Sequence, residues 1–181
     1  METFSSLEKQ WSEGPALPTD AGTVRLLVVR LGDGEHRVED RVQATRAGGI
    51  EGDRWSRGEQ PDLDSQITLM MARVAELITP EPPGGQPLHL PGDNLLVDLD
   101  LSEHNLPPGS RLRVGTAVLE VTPKIHAGCK KFSERFGQDA LRWVNLKGHR
   151  ARRLRGLHSK LLEDGEISAG DSIEVIRRGP R

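Results

Sequence analysis

Cys129 is the one cysteine among 181 residues. A single thiol forms no disulfide within its own chain, so it serves either packing or chemistry. It sits in Thr122-Pro-Lys-Ile-His-Ala-Gly-Cys-Lys-Lys-Phe132, after a strand-like run and before a helix-like one. Its neighbours favour chemistry. Gly128 frees the backbone, and Lys124, Lys130 and Lys131 add positive charge. His126 stands three residues away as a candidate base or ligand. Positive charge and a helix N-terminus both favour the thiolate, the form that attacks electrophiles, carries sulfur or binds a metal. The competing role is that of a small buried hydrophobe. His126 and Cys129 alone do not make a zinc site, which takes about three or four protein ligands.

Charge is concentrated around the same thiol. From Lys124 to Lys160 the chain carries eleven Lys and Arg against two acids, Glu134 and Asp139, a net +9 in a protein of net charge -2. Such a run is commonly a solvated face. Here it surrounds the only thiol of an acidic chain, which points to an anionic small-molecule ligand. Arg150-Ala-Arg-Arg-Leu-Arg155 also admits a non-catalytic anion or nucleic-acid binding module. The lack of Tyr, with only three Trp and three Phe, leaves few surfaces on which bases could stack and argues against nucleic acid. Gly48-Gly-Ile-Glu-Gly52 is not a P-loop, because no Gly-Lys-Ser/Thr follows. Asp53 and Asp93 are expected to cap tight turns rather than line a pocket.

One free cysteine fits a reducing compartment, so the cytoplasm is expected. Met1 to Asp20 holds no apolar run and is neither a signal peptide nor a membrane span.

The elements that must position these residues are mostly strands. Residues 1–21 read as a loose N-terminal arm, broken by Trp11-Ser-Glu-Gly-Pro-Ala-Leu-Pro18. Gly22 to Arg30 is a β-branched run ending in the hairpin-like Leu31-Gly-Asp-Gly34, with Glu35 to Thr45 able to pair back. Gln66 to Leu69 starts as a strand, and Met70 to Ile78 has helical spacing. Thr79-Pro-Glu-Pro-Pro-Gly-Gly85 reads as a surface loop. Asp93 to Leu99, Arg111 to Val114, Ala117 to Thr122 and Ser172 to Ile176 read as strands. Leu157 to Leu162 fits strand or helix, and Gly165 to Asp171 reads as a turn. Phe132, Phe136, Ala140 and Trp143 form one stripe of a helix over Phe132 to Val144. Many short strands with Gly/Pro turns and two helices predict a β-barrel or sandwich with helical additions.

Three stretches carry a family resemblance. They are Gly92-Asp-Asn-Leu-Leu-Val97 with Leu112 to Thr122, the lone Cys129 before Lys131-Phe132 and Phe136-Gly137, and the ending Arg155-Gly-Leu-His-Ser-Lys to Val175 with its late Gly-Asp turn. Gly52-Asp-Arg54 adds an earlier Gly-Asp loop. In this order they resemble MOSC domains, named for the C-terminal domain of molybdenum-cofactor sulfurase. The resemblance spans residues 22–176, between the 1–21 arm and a 177–181 tail.

The resemblance implies a mostly β, MOSC-like barrel with a few short helices, and Cys129 as the functional residue. In sulfurase-type members the cysteine is thought to carry sulfur as a persulfide, a sulfurtransferase-like role. In reductase-type members it ligates molybdenum in a bound pterin cofactor, molybdopterin, and small oxidised (N-hydroxylated) substrates are reduced. The cofactor's phosphate would fall to Lys124, Lys130, Lys131, Arg153 and Arg155, with Asn94 beside them. Either role implies a partner, a separate desulfurase as sulfur donor or an electron-transfer protein. One cysteine cannot hold an iron–sulfur cluster, and no dinucleotide-binding glycine pattern occurs. Reductase members carry a preceding β-rich domain, for which the arm before Gly22 is too short. Gly92-Asp93 replaces an arginine common in reductase members, and His126-Ala-Gly-Cys129 replaces an Arg/Pro-containing approach. These departures imply a divergent subgroup.

Overall fold

The long strand β1 (Ala21–Gly32) organises the molecule. It is too long for one neighbour. Its middle pairs with β6 (Leu95–Val97), and its second half folds back into β2 (Glu35–Glu39). The computed structural model describes residues 1–79 and 87–180. The remaining barrel strands are β5 (Ile67–Met71), β7 (Arg111–Val114), β8 (Ala117–Val121), β9 (Leu157–Glu163) and β11 (Ser172–Arg177). Around the barrel the order is β1, β6, β5, β9, β8, β7, β11, and pairing of β11 with β1 closes seven strands into a ring. Closure removes the unpaired edges that an open sheet would expose. Among the described residues only β5 and β6 run parallel. That arrangement requires a crossover, which includes helix α2 (Ala72–Ile78).

The interior is aliphatic. Leu27, Leu69, Leu95, Leu112 and Leu119 are fully buried, each from a different strand. Each such side chain contributes roughly 1.5–3 kcal/mol relative to exposure. A one-residue slip in any strand would turn this set outward, so packing fixes the register. A small second sheet, β3 (Arg41–Thr45), β4 (Gly49–Ile50) and β10 (Gly165–Ser168), lies in the order β10-β3-β4.

Several expectations change in the folded chain. Only Glu35–Glu39 pairs back on β1, because β3 turns away to β4 and β10. Met70 and Met71 finish β5 rather than start the helix. Gly165–Ser168 is a strand, not a turn, and Leu157 to Leu162 is strand. The expected single helix is two, α3 (Lys130–Phe136) and α4 (Gln138–Asn145), split at Gly137 with φ of 89°. The stripe of Phe132, Phe136, Ala140 and Trp143 is buried nonetheless. The loop expected after Thr79 lies outside the described residues. At the tail, β11 reaches Arg177, and Arg178 Nη2 donates to Asp20 Oδ1 at 2.7 Å.

The N-terminal arm is not loose. It forms helix α1 (Phe4–Glu13), with Thr3 as its N-cap. Leu7 is wholly buried. Glu8 accepts bonds from Trp143 Nε1 at 2.9 Å and Arg152 Nη1 at 2.8 Å. Arg73 Nη2 donates to the carbonyls of Gln10 and Trp11, which the helix end would otherwise leave unpaired. The Gly-Pro punctuation ends this helix rather than preventing one.

Candidate functional site

A cavity of about 550 Å³ opens where β1, β5 and β9 meet the Pro123–Cys129 segment and α3. Six cations line it: Arg30, Arg54, Lys124, Lys131, Arg135 and Arg155. His36, His126, His158 and Cys129 complete its polar wall, and no carboxylate is among its described lining residues.

Cys129 is exposed and occupies the N-cap of α3. The Phe132 backbone N–H, the strongest influence, holds its thiol below the usual thiol range against a small burial cost. The Lys131 N–H and the Arg155 charge act the same way. The sequence therefore builds a nucleophilic or metal-binding thiolate by ending a strand, extending eight residues of loop and starting a helix at Lys130. Asn145 clamps that loop. Its Oδ1 accepts from Gly128 N–H at 2.8 Å, and its Nδ2 donates to Gly128 O at 2.9 Å.

Two buried carboxylates hold the cations from behind. Asp53 caps the 3-10 turn Arg54–Arg57, accepting from Trp55 N–H at 2.9 Å. It also accepts from Arg30 Nη2 at 2.8 Å and Arg30 N–H at 2.9 Å. Burial opposes its ionisation, but the Arg30 bonds win and hold it below the usual carboxylate range. Asp93 caps no turn. It is fully buried and bound to Arg155, whose guanidinium also lies over the Phe132 ring. Arg135 is fixed by bonds to Leu90 O at 2.7 Å and Gly34 O at 3.1 Å. Gly92, with φ of 78°, gives close passage to His36, since a Cβ there would lie 2.6 Å from His36 Nε2.

The three imidazoles are neutral at pH 7. Burial, then the charge of Arg135, lowers His36 to about 4. Burial, then Lys124 and Arg155, lowers His158 to about 4. Burial and then Arg155 push His126 well below its ordinary value. The site's positive field therefore comes from arginine and lysine and persists across physiological pH.

Of the residues expected at the site, Cys129, His126, Lys124, Lys131 and Arg155 line this cavity, and Lys124, His126 and Arg155 also border a second one. The other three stand elsewhere. Lys130 points to solvent with its side chain 91% exposed, near Glu134. Arg153 lines the second cavity, of about 580 Å³ and bordered by the Pro123–Ala127 segment, and donates to Leu106 O at 2.6 Å. Asn94 is wholly buried. Its amide donates to Asp53 Oδ2 at 2.8 Å and Val28 O at 3.0 Å, so it supports the site from below without reaching a ligand. Arg30, Arg54, His36 and His158 were not singled out from sequence. The Gly52-Asp53-Arg54 loop was the available signal for Arg54; Arg30 sits at the end of a strand and carries none.

The basic run divides among unrelated tasks: Arg152 binds Glu8, Arg153 supports a loop, and Arg155 binds Asp93. It is not one continuous basic face.

The sequence model of the MOSC domain matches residues 64–174, more than half of the chain. The chain belongs to the MOSC domain family. The match takes in Asp93, His126, Cys129 and Arg155. Among solved structures, the YuaD protein of Bacillus subtilis is 18% identical with a TM-score of 0.58, over 86% of this chain and 95% of that one. YiiM of Escherichia coli is 20% identical with a TM-score of 0.58, over 88% and 72%. YiiM of Geobacillus stearothermophilus is 16% identical with a TM-score of 0.53, over 91% and 77%. At these identities the likeness shows a shared fold. No curated protein matches the sequence.

Proposed function

We propose that this MOSC protein binds a molybdenum–pterin cofactor in the Cys129 cavity, with the Cys129 thiolate as the protein's ligand to the metal. The carrying observation is a thiolate opening into a cavity of about 550 Å³ lined by six cations and no described carboxylate. That volume lies within the roughly 300–1,000 Å³ of small-molecule sites. Among the described residues no group of three or more His, Cys, Asp or Glu is arranged to hold a metal ion. A single thiolate fits a metal that arrives with its other ligands on an organic carrier. Arg54, Lys131 and Arg135 are the cations available to its phosphate, while Arg30 and Arg155 are committed to Asp53 and Asp93. When bound, the group supplies two-electron redox chemistry for small oxidised, N-hydroxylated substrates. The protein's residues hold the anion, present the thiolate and keep three imidazoles neutral beside it. Electrons then come from a separate electron-transfer protein.

Exposure of Cys129 favours a second reading, sulfur carriage. The thiolate attacks the outer sulfur of a desulfurase persulfide, the donor's S–S bond breaks, and the donor thiolate leaves as Cys129 becomes the persulfide. Both readings fit a reducing cytoplasm. Among the described residues no helix is long and apolar enough to cross a membrane.

The test is metal and pterin analysis of protein purified from a molybdenum-supplied host. Molybdenum and pterin near one per chain, both lost in Cys129→Ser, are the expected result. No metal together with a Cys129-dependent persulfide selects sulfur carriage. Neither, with salt-sensitive RNA binding, returns the chain to a binding module.

A further inference from the structure

Among the described residues, four buried side-chain polar atoms lack a hydrogen-bond partner: Asp93 Oδ1, His126 Nδ1, Arg155 Nε and His158 Nδ1. All four belong to one cluster behind Cys129. His126 and His158 rings lie 4.3 Å apart, Arg155 binds Asp93, and His126 Nδ1 lies 3.5 Å from Asp93 Oδ1. Buried polar groups are nearly always satisfied, so such a concentration asks for a cause. A bound cation is a poor one. Arg155 is in the cluster, and Arg30 and Lys124 line the same cavity wall. The spacing instead describes a carboxylate and an imidazole slightly beyond hydrogen-bond length, as sites often are before a ligand closes them.

We infer that Asp93 is a positioning residue, which holds His126 as the Nδ1–H tautomer and so presents a bare Nε2 to the Cys129 cavity. This deepens the cofactor reading and rests on it for its functional meaning. Arg155 is permanently charged and donates to Asp93 Oδ2. Neutralising Asp93 would leave that guanidinium buried without a counter-charge, which is strongly unfavourable. The carboxylate therefore stays ionised against the upward push of its burial. An ionised carboxylate only accepts, so the Nδ1–H tautomer of His126 is the one that bonds Asp93 when the 3.5 Å gap closes. His126 stays neutral because burial and Arg155, His158, Arg30 and Lys124 all oppose its charging. Its Nδ1 is buried while the side chain remains 12% exposed, on the wall shared by the Cys129 cavity and the second one. The edge open to a ligand is thus the one without the proton. Among six cations, His126 Nε2 is a neutral acceptor. It orients a ligand whose anionic part sits near an N–H or O–H donor, as in a pterin ring or an N-hydroxyl group.

Asp93→Asn gives a sharp test. Arg155 offers only donors, so the amide oxygen of the variant must face it. The amide NH2 then faces His126 Nδ1 and forces it to accept, which inverts the tautomer. Long-range proton–nitrogen NMR on the cofactor-free protein reads both nitrogens of each imidazole, and loss of one pattern in His126→Gln identifies the signal. The expected result is protonated Nδ1 and bare Nε2 in the wild type at pH 7, and the reverse in Asp93→Asn. A wild-type His126 with its proton on Nε2 overturns the inference, whether or not the variant folds. An unchanged tautomer in a folded Asp93→Asn protein does the same. The measurement uses no molybdenum, so failure of the cofactor reading leaves its outcome untouched.

Discussion

At the scale of residues, the site separates cations that hold the fold from cations that face a ligand. Arg30 and Asp53 form a buried pair. Arg30→Ala would leave the Asp53 carboxylate unpaired, at a cost of about 3–5 kcal/mol, measured by denaturant unfolding. Arg54 and Lys131 are exposed at the cavity, and their loss should change stability by less than about 0.5 kcal/mol while weakening anion binding. Equal stability losses in all three variants would contradict this division. Cys129 is exposed, so Cys129→Ser should fold normally. In the wild type, the rate of iodoacetamide alkylation against pH should show a midpoint below the model thiol value of about 8.5. A midpoint at or above it would mean that the α3 backbone N–H groups do not reach the sulfur. Cys129, His126 and Lys124 were legible because type and spacing place them on one short segment. Asn94, expected beside the phosphate, is wholly buried instead, because a Gly-Asp-Asn turn does not reveal which side chain is covered.

At the scale of elements, local patterns predicted strands well wherever alternation was clear, as in β7 and β8. They failed where tertiary partners decide. The Phe132–Trp143 stripe was visible in the sequence, but Gly137 divides it, since the chain needs a change of direction between α3 and α4. Helix α1 was missed for the opposite reason. Its own pattern is weak, and its stability comes from Trp143, Arg152 and Arg73 far along the chain. Leu7 is its only fully buried residue. Leu7→Ala should therefore lower stability by about 2–5 kcal/mol and leave Cys129 alkylation unchanged. A loss below about 0.5 kcal/mol would show that α1 is not docked.

At the scale of the whole molecule, the net charge of -2 conceals a cavity whose field is positive and independent of pH near neutrality. Barrel closure makes that possible. It brings Arg30, Arg54, Lys124 and Arg155 to one wall from segments far apart in sequence, which no local spacing could reveal. The half-buried histidines set a pH limit. His36 and His158 titrate at about 4 in the fold against 6.5 when free, so the unfolded chain binds more protons between these values. Their effect on stability is fully present above pH 6.5 and is lost as pH falls toward about 4. The thermal midpoint should drop across that window, and His158→Phe should flatten the drop. A midpoint constant across it would mean the imidazoles are solvated. The central claim, that Cys129 is the protein's ligand to a pterin-borne metal, is tested most directly by X-ray absorption at the molybdenum edge. The account predicts a thiolate sulfur in the metal's coordination shell in the wild-type protein that disappears in Cys129→Ser. Molybdenum bound with the same sulfur shell in both proteins, or no molybdenum in either, would contradict it.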